Sequence, residues 1–225
     1  SGYIVNENLK AEVLTTFKVN HLFVHRCQVV NGEVKVGDYA FAQIDSARRA
    51  QIRVHHTSAH LLQAALIKVL GDEVKQAGSQ VEENRMRFDF TFSRAMTPQE
   101  VKKTEDIMNK WIGEKLPVNT DVMGIEEAKL TGATALFGEK YEDVVRVVSI
   151  GGKAKCNCGS DCSCDHESGE EKEVISKEFC AGTHASNTAD LRLVKIVSEG
   201  AIAAGTRRIE AVVADAALGY LNAKS

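Results

Sequence analysis

The stretch His56-Thr57-Ser58-Ala59-His60, together with Cys180-Ala181-Gly182-Thr183-His184, decides how this chain is organised. Each pair has the spacing of residues one helical turn apart, so in a helix both side chains of a pair would lie on one face. Three imidazoles and one thiolate form a ligand set that Zn²⁺ prefers. The pairs lie about half the chain apart, so only the folded protein assembles them. This separation predicts a metal built into a core or cleft rather than a small zinc finger.

The alternative interpretation is that these histidines are ordinary hydrogen-bonded core residues. A single HxxxH sequence is weak evidence for a metal, and a single CxxxH sequence is weaker. The metalloprotease signature has Glu after the first His, whereas this chain has Thr57 there, which disfavours a protease of that class. Two pairs in one chain favour the metal site.

Residues around the first pair predict a helix that follows a β-rich region. An apolar stripe beginning at Ala59 predicts a helix over residues 56–70, and Gly71 is a natural stop. Residues 10–52 are rich in strand-forming residues, and Asn31-Gly32 is a hairpin signal between two such runs. Gly37-Asp38 marks another turn. Residues 1–52 are therefore predicted to form a small β-barrel.

The rest of the chain mixes helices and strands without regular βαβ alternation, which predicts an α+β fold. Thr97-Pro98-Gln99-Glu100 is a capping box that starts a helix running to about Lys115. Further strands are predicted at 86–92, 118–123, 144–150, 191–199 and 206–213, and further helices at 125–131 and 214–221. We expect an α/β two-layer domain with a zinc site over residues 53–215, and the start of a truncated C-terminal helix at 216–225.

A Cys-rich insert is predicted at residues 151–177, between Gly151-Gly152 and a polar, acidic run. Its potential ligands are Cys156, Cys158, Cys162, Cys164 and His166. They suggest a second metal site, although the C-x-C spacing differs from the C-x-x-C of common zinc knuckles. The alternative is a solvent-exposed loop with free thiols.

Composition and net charge limit the classes of protein to which this chain can belong. With 44% hydrophobic and 26% charged residues, the 225-residue chain is ordinary for a globular protein of one large or two small domains. A net charge of −3 gives no global reason for nucleic-acid binding, so any RNA contact must come from local basic patches. Composition alone favours a solvated or salt-bridged face over an RNA contact for each candidate patch. The patches are Arg48, Arg49 and Arg53; Arg85 and Arg87; and Arg207 and Arg208.

Targeting signals are absent from the sequence. No apolar run approaches the roughly 18 residues of a membrane span, and the N-terminus lacks a signal-peptide stretch. We therefore expect a cytoplasmic protein without a membrane partner. In that compartment the 6 cysteines are expected to be metal ligands or free thiols rather than disulfides. The Ser1-Gly2 start suggests a tag remnant on an excised fragment.

The motifs resemble the editing domain of alanyl-tRNA synthetase over about residues 30–213. The family patterns around the two ligand pairs stand here as residues 55–62 and 180–184. Further matching segments, in the family's order, are Gln76-Ala77-Gly78-Ser79, Arg87-Phe88-Asp89-Phe90, residues 135–141 and residues 205–211. The related threonyl-tRNA synthetase editing domain shares the ligand pairs, but the segments at 138–141 and 207–211 favour the alanine family.

The resemblance implies a zinc-dependent hydrolase that removes serine and glycine mischarged onto tRNA(Ala). Within the full-length, ATP-binding enzyme, which attaches alanine to tRNA(Ala), the expected partners are the tRNA acceptor end and the other synthetase domains. It implies that His56, His60, Cys180 and His184 are the zinc ligands and that Gln76 is a pocket residue. Alternatives are a free-standing trans-editing deacylase and a non-catalytic, zinc-stabilised tRNA-binding module.

Four features depart from the family pattern. His55 replaces Asn, which would alter a helix cap or add a ligand, and Ala181 replaces Gly, where a positive φ would be strained. The Cys-rich insert is longer than usual. No aminoacylation domain precedes the barrel, and the Gly-rich motif of free-standing editing proteins is missing, so a synthetase fragment is favoured.

Discrimination of serine from alanine requires a group that reads the serine hydroxyl. A site built around such a hydrogen bond rejects the analogue without it by roughly 10⁴ to 10⁵. Gln76 and Thr57 are the predicted catalytic residues, with Ser79 and the metal as further candidates for reading the hydroxyl. No obvious general base stands beside the ligands, and Asp89 and Glu178 are the acidic candidates that the sequence offers. We instead expect the zinc, the backbone amides of Gly182 and Thr183 and the tRNA ribose hydroxyl to carry the reaction.

Overall fold

The computed structural model describes residues 2–20, 22–135, 141–154 and 172–224. Helices and antiparallel sheets are mixed in these residues, which confirms the α+β class. The strands are β1 Gly2–Asn6, β2 Leu9–Val19, β3 Leu22–Gly32, β4 Phe41–Ile44, β5 Gln76–Val81, β6 Met86–Thr91, β7 Val118–Gly124, β8 Val144–Gly152, β9 Lys172–Phe179, β10 Val194–Ala203 and β11 Thr206–Val213. The helices are α1 Ser46–Leu70, α2 Pro98–Gly113, α3 Ile125–Leu130 and α4 Ala214–Asn222. The chain divides into two compact units, Ser1–Gln51 and Ile52–Ser225.

The first unit contains a four-stranded antiparallel sheet with the strand order β3-β2-β1-β4. Leu9, Ala11 and Val13 alternate along β2 and are buried, as expected for a strand with one covered face. In the described residues the sheet is open, with β3 and β4 at its edges, and the predicted closed barrel is not found.

The hairpin prediction at Asn31-Gly32 is wrong. Both residues lie at the end of β3, where Asn31 pairs with Lys10 and Gly32 with Leu9. Gly32 has a φ of +87°, and a Cβ there would overlap the carbonyl oxygen of Asn8. The glycine therefore permits a close approach between two backbones rather than a turn. The second turn prediction is confirmed, because the Asp38 amide donates to the Lys35 carbonyl across Gly37.

Helix α1 begins ten residues earlier than the sequence predicts, at Ser46 instead of His56. The Asp45 carboxylate accepts a hydrogen bond from the Arg48 amide at 2.9 Å, and its carbonyl accepts one from Arg49 at 2.9 Å. Asp45 thus satisfies amides of the first helical turn, as an N-cap residue does. The assignment of residues 46–52 to β structure is wrong. The predicted stop is confirmed, since Gly71 ends the helix with a φ of +102°.

The second unit has its main core between α1, α2 and a four-stranded antiparallel sheet of order β10-β11-β6-β5. Met86, Phe88 and Phe90 alternate along β6 and are fully buried. Leu62 and Leu66, one turn apart on α1, belong to the same core cluster. This core fixes the helix that carries His56 and His60 against the sheet.

Helix α2 begins as its capping box predicts. Thr97 accepts from the Glu100 amide at 3.2 Å, and the Glu100 carboxylate accepts from the Thr97 amide at 2.8 Å. Arg94 holds the same carboxylate through two hydrogen bonds of 2.7 and 2.8 Å. The start of α2 is therefore fixed by local contacts that the sequence pattern predicts.

A third sheet has the order β7-β8-β9 and packs against α3 through Ala128, Val145, Val147 and Phe179. The Cys-rich insert predicted at 151–177 overlaps both strands, because β8 extends to Gly152 and β9 begins at Lys172, and these two residues pair with each other. Its potential metal ligands, at residues 156 to 166, lie outside the described residues. No described helix is long and apolar enough to cross a membrane.

Candidate metal centre

The four predicted ligands lie together in the second unit. The ligand atoms of His56, His60, Cys180 and His184 are all within 4.8 Å of one another. Cys180 Sγ lies 3.5 Å from His56 Nε2 and 3.3 Å from His184 Nε2. A tetrahedral ion with bonds of about 2.3 Å to sulfur and 2.0 Å to nitrogen separates such atoms by about 3.5 Å. These two distances match that spacing, and the four side chains form a group that could hold one metal ion.

The second ligand pair is held by a loop and not by a helix, although its i, i+4 spacing also suits a helix. Cys180 follows the last residue of β9, and no helix is assigned from there to His184. The Cys180 amide donates to the carbonyl of Arg146 on β8 at 2.9 Å. The chain leaves the sheet at this bond and folds back over α1. We call residues 180–184 the metal loop.

Gly182 allows the metal loop to pass close to helix α1. A Cβ at this position would overlap Cε1 and Nδ1 of the His56 ring. The absence of a side chain is therefore required by packing against a ligand. Ala181 has no positive φ, so replacement of the family glycine there introduces no backbone strain.

The ligand histidines differ in burial, which defines the side on which the centre opens. His60 and His184 are 6% and 4% exposed. His56 and Cys180 are half-buried, as are Gly182 and Thr183 in the metal loop. The mouth of the centre is therefore on the side of His56 and Cys180.

Thr57 orients His184. Its side chain is fully buried, and its Oγ1 lies 3.1 Å from His184 Nδ1 and accepts from the Ala185 amide at 3.0 Å. When Nε2 of a histidine binds metal, its Nδ1–H donates to a neighbouring acceptor, which fixes the tautomer and the ring. These contacts place Thr57 behind a ligand. Its predicted contact with substrate stays a prediction.

Glu178 lies behind His60 in the same way. Its Oε2 is 3.3 Å from His60 Nδ1, and its Oε1 accepts from the Ser176 hydroxyl at 2.8 Å. The His60–Glu178 contact has ion-pair distance but not hydrogen-bond geometry, since His60 Nδ1 has no hydrogen-bond partner in the described residues. A small rotation of the ring would form the carboxylate–histidine–metal arrangement common in metal sites.

Two arginines hold the carbonyl groups of the metal loop. Arg146 donates from Nη1 to the Gly182 carbonyl and from Nη2 to Thr120 Oγ1 at 3.3 Å. Arg53, on α1, donates from Nε to the His184 carbonyl at 2.6 Å. The loop is thus pinned to β8 and to α1 by cationic donors, which form stronger hydrogen bonds than neutral ones.

The protonation pattern of the metal-free centre suits a metal ligand set. Burial alone would raise the pKa of the Cys180 thiol, but hydrogen bonds from His184, His56 and His60 outweigh it and lower the pKa to about 3. Burial lowers the pKa of His184 to about 4. Burial also opposes charge on His60, but its contacts with Cys180 and Glu178 raise its pKa to about 9. At neutral pH the sulfur is already a thiolate, the form that binds metal.

His55 is not an additional ligand, and it caps no helix. It lies within α1, is fully buried, and its Nε2 accepts from the Val213 amide at 3.4 Å. The group that could hold a metal does not include it. The side chain instead ties the helix to the end of β11.

Gln76 lies on β5 at the edge of the four-stranded sheet and is distant in sequence from the metal loop. Its Nε2 donates to Ser79 Oγ at 3.4 Å. In the described part of the chain, the structure brings Gln76 together with Ser79 and not with the four ligands. Its backbone pairs with Phe90, a core residue, so its side chain shares the sheet face that packs on α1.

The remaining polar candidates are mostly paired. Asp89 is held by Arg208 through hydrogen bonds of 2.7 and 2.8 Å, which leaves it poorly suited to be a general base. Three more basic candidates of the second unit are paired with carboxylates: Arg207 with Glu199, Arg85 with Glu82 and Arg87 with Asp89. Arg53 has no carboxylate partner among the described residues and donates to the His184 carbonyl. These contacts favour the salt-bridged interpretation of the basic patches.

Sequence reasoning missed the positioning roles of Glu178, Arg53 and Arg146. The position of Glu178 could have been inferred from the sequence, because a residue two positions before Cys180 on a strand lies on the same face as Cys180. Arg146 had none, since it reaches the loop only through the pairing of β8 with β9.

Comparison with known proteins shows that the chain is similar to segments of aminoacyl-tRNA synthetases. A family described as the second additional domain of threonyl and alanyl tRNA synthetases matches residues 145–210. The alanine–tRNA ligase of Synechococcus sp. (strain JA-3-3Ab) is 45% identical over 98% of this chain and 22% of that protein. The alanine–tRNA ligase of Acaryochloris marina (strain MBIC 11017) is 40% identical over 99% of this chain and 23% of that protein.

A third alanine–tRNA ligase, from Nostoc punctiforme, is 42% identical over 98% of this chain and 23% of that protein. The chain thus spans between a fifth and a quarter of the length of these relatives. The resemblance to an alanyl-tRNA synthetase segment, inferred from the motifs, is confirmed by these matches.

Proposed function

We propose that this chain, similar as it is to a segment of alanine–tRNA ligases, is a zinc-dependent hydrolase of mischarged Ser-tRNA(Ala) and Gly-tRNA(Ala). The observation that carries the proposal is the convergence of one thiolate and three imidazoles within 4.8 Å in such a segment. The proposed partners are the acceptor end of tRNA(Ala) and the other domains of a longer synthetase, which would attach alanine to the same tRNA. A cytoplasmic location remains a prediction.

Zinc is the metal that the donor set supports best. Thiolate and imidazole donors in a tetrahedral arrangement are typical of Zn²⁺, whereas Mg²⁺ and Ca²⁺ prefer oxygen donors. When bound, zinc supplies a Lewis acid and a fixed positive charge at the mouth of the centre. Thr57 and Glu178 would hold His184 and His60 in the orientations that ligation requires.

The metal loop would supply a donor for the negative charge that develops on the ester oxygen. Arg146 binds the Gly182 carbonyl, and a trans peptide points its N–H away from its C=O. Arg146 therefore directs the Thr183 amide away from β8. We assign this amide to the ester oxygen, because a preorganised donor at such a position is typically worth 10² to 10³ in rate, about 3–4 kcal/mol.

Gln76 is the residue that we assign to the serine hydroxyl. It lies on the α1 face of the sheet, and among the described residues its amide group has a hydrogen bond only with the hydroxyl of Ser79. An amide can donate to and accept from a hydroxyl group, so it can detect the one group that serine has and alanine lacks.

A second candidate function is a non-catalytic tRNA-binding module in which the metal only stabilises the fold. The observation that favours it is the complete set of four protein ligands, which is typical of structural zinc, whereas catalytic zinc keeps one position open. A free-standing trans-editing deacylase would share the chemistry of the first proposal and would differ only in its missing partner domains.

Hydrolysis of Ser-tRNA(Ala) and Ala-tRNA(Ala) by the purified chain, with zinc measured on the same sample, tests the proposal. We expect faster loss of the seryl ester, and loss of that activity after chelation. Gln76→Ala should slow seryl-ester hydrolysis. Gln80→Ala is the matched control, because Gln80 is exposed on the same strand and pairs with Arg87 on the opposite face. Equal rates with and without zinc would refute a metal-dependent hydrolase, and zinc-loaded protein without turnover would favour the binding module.

A further inference from the structure

The arginines of the second unit fall into two groups. Six of them lie within 4.0 Å of a carboxylate oxygen: Arg85, Arg87, Arg94, Arg192, Arg207 and Arg208. Arg53 and Arg146 have no carboxylate partner in the described residues. Both instead donate to carbonyl groups of the metal loop. No carboxylate among the described residues therefore neutralises the positive charges of Arg53 and Arg146 beside the metal loop.

Arg53 and Arg146 differ in what their guanidinium groups have left to offer. Arg146 is half-buried and uses both terminal nitrogens, on Gly182 and Thr120. Arg53 is exposed, and its one hydrogen bond in the described residues uses Nε. Nη1 and Nη2 of Arg53 thus have no hydrogen-bond partner among the described residues, on an exposed side chain whose guanidinium the His184 carbonyl holds in place.

Arg53 lies beside the mouth of the centre. It precedes His56 by three residues on α1, so the two side chains are neighbours on one helix face. His56 is one of the two more exposed ligands. A substrate that reaches the metal from this side passes the free edge of the Arg53 guanidinium.

We propose that Arg53 binds a backbone phosphate of the RNA strand whose esterified 3′ end enters the centre. This inference rests on the proposed function. An aminoacyl ester carries an ammonium group and no free carboxylate, so the anions of such a substrate are its phosphates. Two parallel N–H donors of one guanidinium match two phosphate oxygens, and a fixed Nε leaves those donors oriented. The same chemistry would bind free phosphate, so the two sources must be separated by experiment.

Binding of a short RNA hairpin with an uncharged, single-stranded 3′ end, measured against salt concentration, tests the inference. Each phosphate contact adds about 0.7 to 0.9 to the slope of log K against log salt. Arg53→Gln should lower the slope by that amount, and Arg53→Lys should preserve it while weakening binding. Arg192→Gln is the matched control, because Arg192 is exposed and paired with Asp215. Arg53→Gln also removes the hydrogen bond to the His184 carbonyl, and the zinc content and unfolding temperature of the variant measure the effect of that loss separately.

The outcomes separate this inference from the proposed function. An unchanged slope in Arg53→Gln, or no RNA binding by the parent chain, overturns the role of Arg53. Binding of inorganic phosphate that is lost in Arg53→Gln, together with an RNA salt slope that this variant leaves unchanged, would assign the residue to free phosphate and overturn its role in RNA binding. Hydrolysis of the seryl ester with an unchanged slope removes only the inference. A lowered slope without hydrolysis supports the phosphate contact and refutes the hydrolase.

Discussion

Replacing Thr57 by valine would remove one hydroxyl while keeping the shape of a fully buried side chain. That hydroxyl lies 3.1 Å from His184 Nδ1 and accepts from the Ala185 amide at 3.0 Å. Loss of a partner that orients a ligand typically weakens metal affinity 10- to 100-fold, which is about 1.4 to 2.7 kcal/mol. The amide left without an acceptor would lower the free energy of unfolding of the metal-free protein by about 1 to 3 kcal/mol.

Competition with a zinc chelator measures the affinity change, and urea unfolding of the stripped protein measures the stability change. Thr104→Val is the matched control. Thr104 is also fully buried, and its hydroxyl donates to the Glu100 carbonyl at 2.8 Å within α2, away from the ligands. Thr57→Ser should restore most of the affinity. Unchanged zinc affinity in Thr57→Val, or an equal loss in Thr104→Val, would refute the view that Thr57 orients His184.

Three further outcomes are expected. Gly182→Ala should weaken zinc binding at least tenfold by chelator competition, because the new Cβ overlaps the His56 ring; full affinity would contradict that packing. Stripping the metal should lower the unfolding free energy by about 2.7 kcal/mol relative to protein at a free zinc concentration 100 times its Kd, and equal unfolding curves would argue against a bound ion. Hydrogen bonds from Arg94 and then the Thr97 amide lower the pKa of Glu100 to about 2, so Glu100→Gln should cost about 0.5–1 kcal/mol at neutral pH. Because the folded pKa is depressed, this difference from the parent chain should be full above about pH 4.3 and vanish as the pH falls toward 2 in unfolding titrations; a constant difference across that range would contradict the assignment.

The parts of the fold that the sequence predicts well are those determined by short, local sequence patterns. The capping box at Thr97 and the helix stop at Gly71 act within one or two turns of chain, so they are visible without tertiary information. The alternation of Met86, Phe88 and Phe90 likewise marks β6 as a strand with one buried face. Asp45 is a local helix signal of the same kind, but the strand-forming residues before it favoured a β prediction for residues 46–52.

Tertiary contacts decided what the sequence did not predict. The spacing of Cys180 and His184 suits a helix, but arginines from α1 and β8 hold the segment as a loop. Asn31-Gly32 suits a hairpin, but the glycine serves a close approach to Asn8. In each case the same residue types satisfy two structures, and only a distant partner distinguishes them.

The division of the metal centre between two distant parts of the chain has a consequence for how the protein matures. The thiolate of Cys180 meets an imidazole 124 residues earlier in sequence, His56. Closing a loop of that length costs entropy that grows only slowly with length, by about 0.6 kcal/mol per doubling. During synthesis the helix bearing the first two ligands emerges long before the thiolate does. The four-ligand site can therefore be completed only when the last third of the domain has been made, and an ion bound there would act as a cross-link that opposes separation of the two segments.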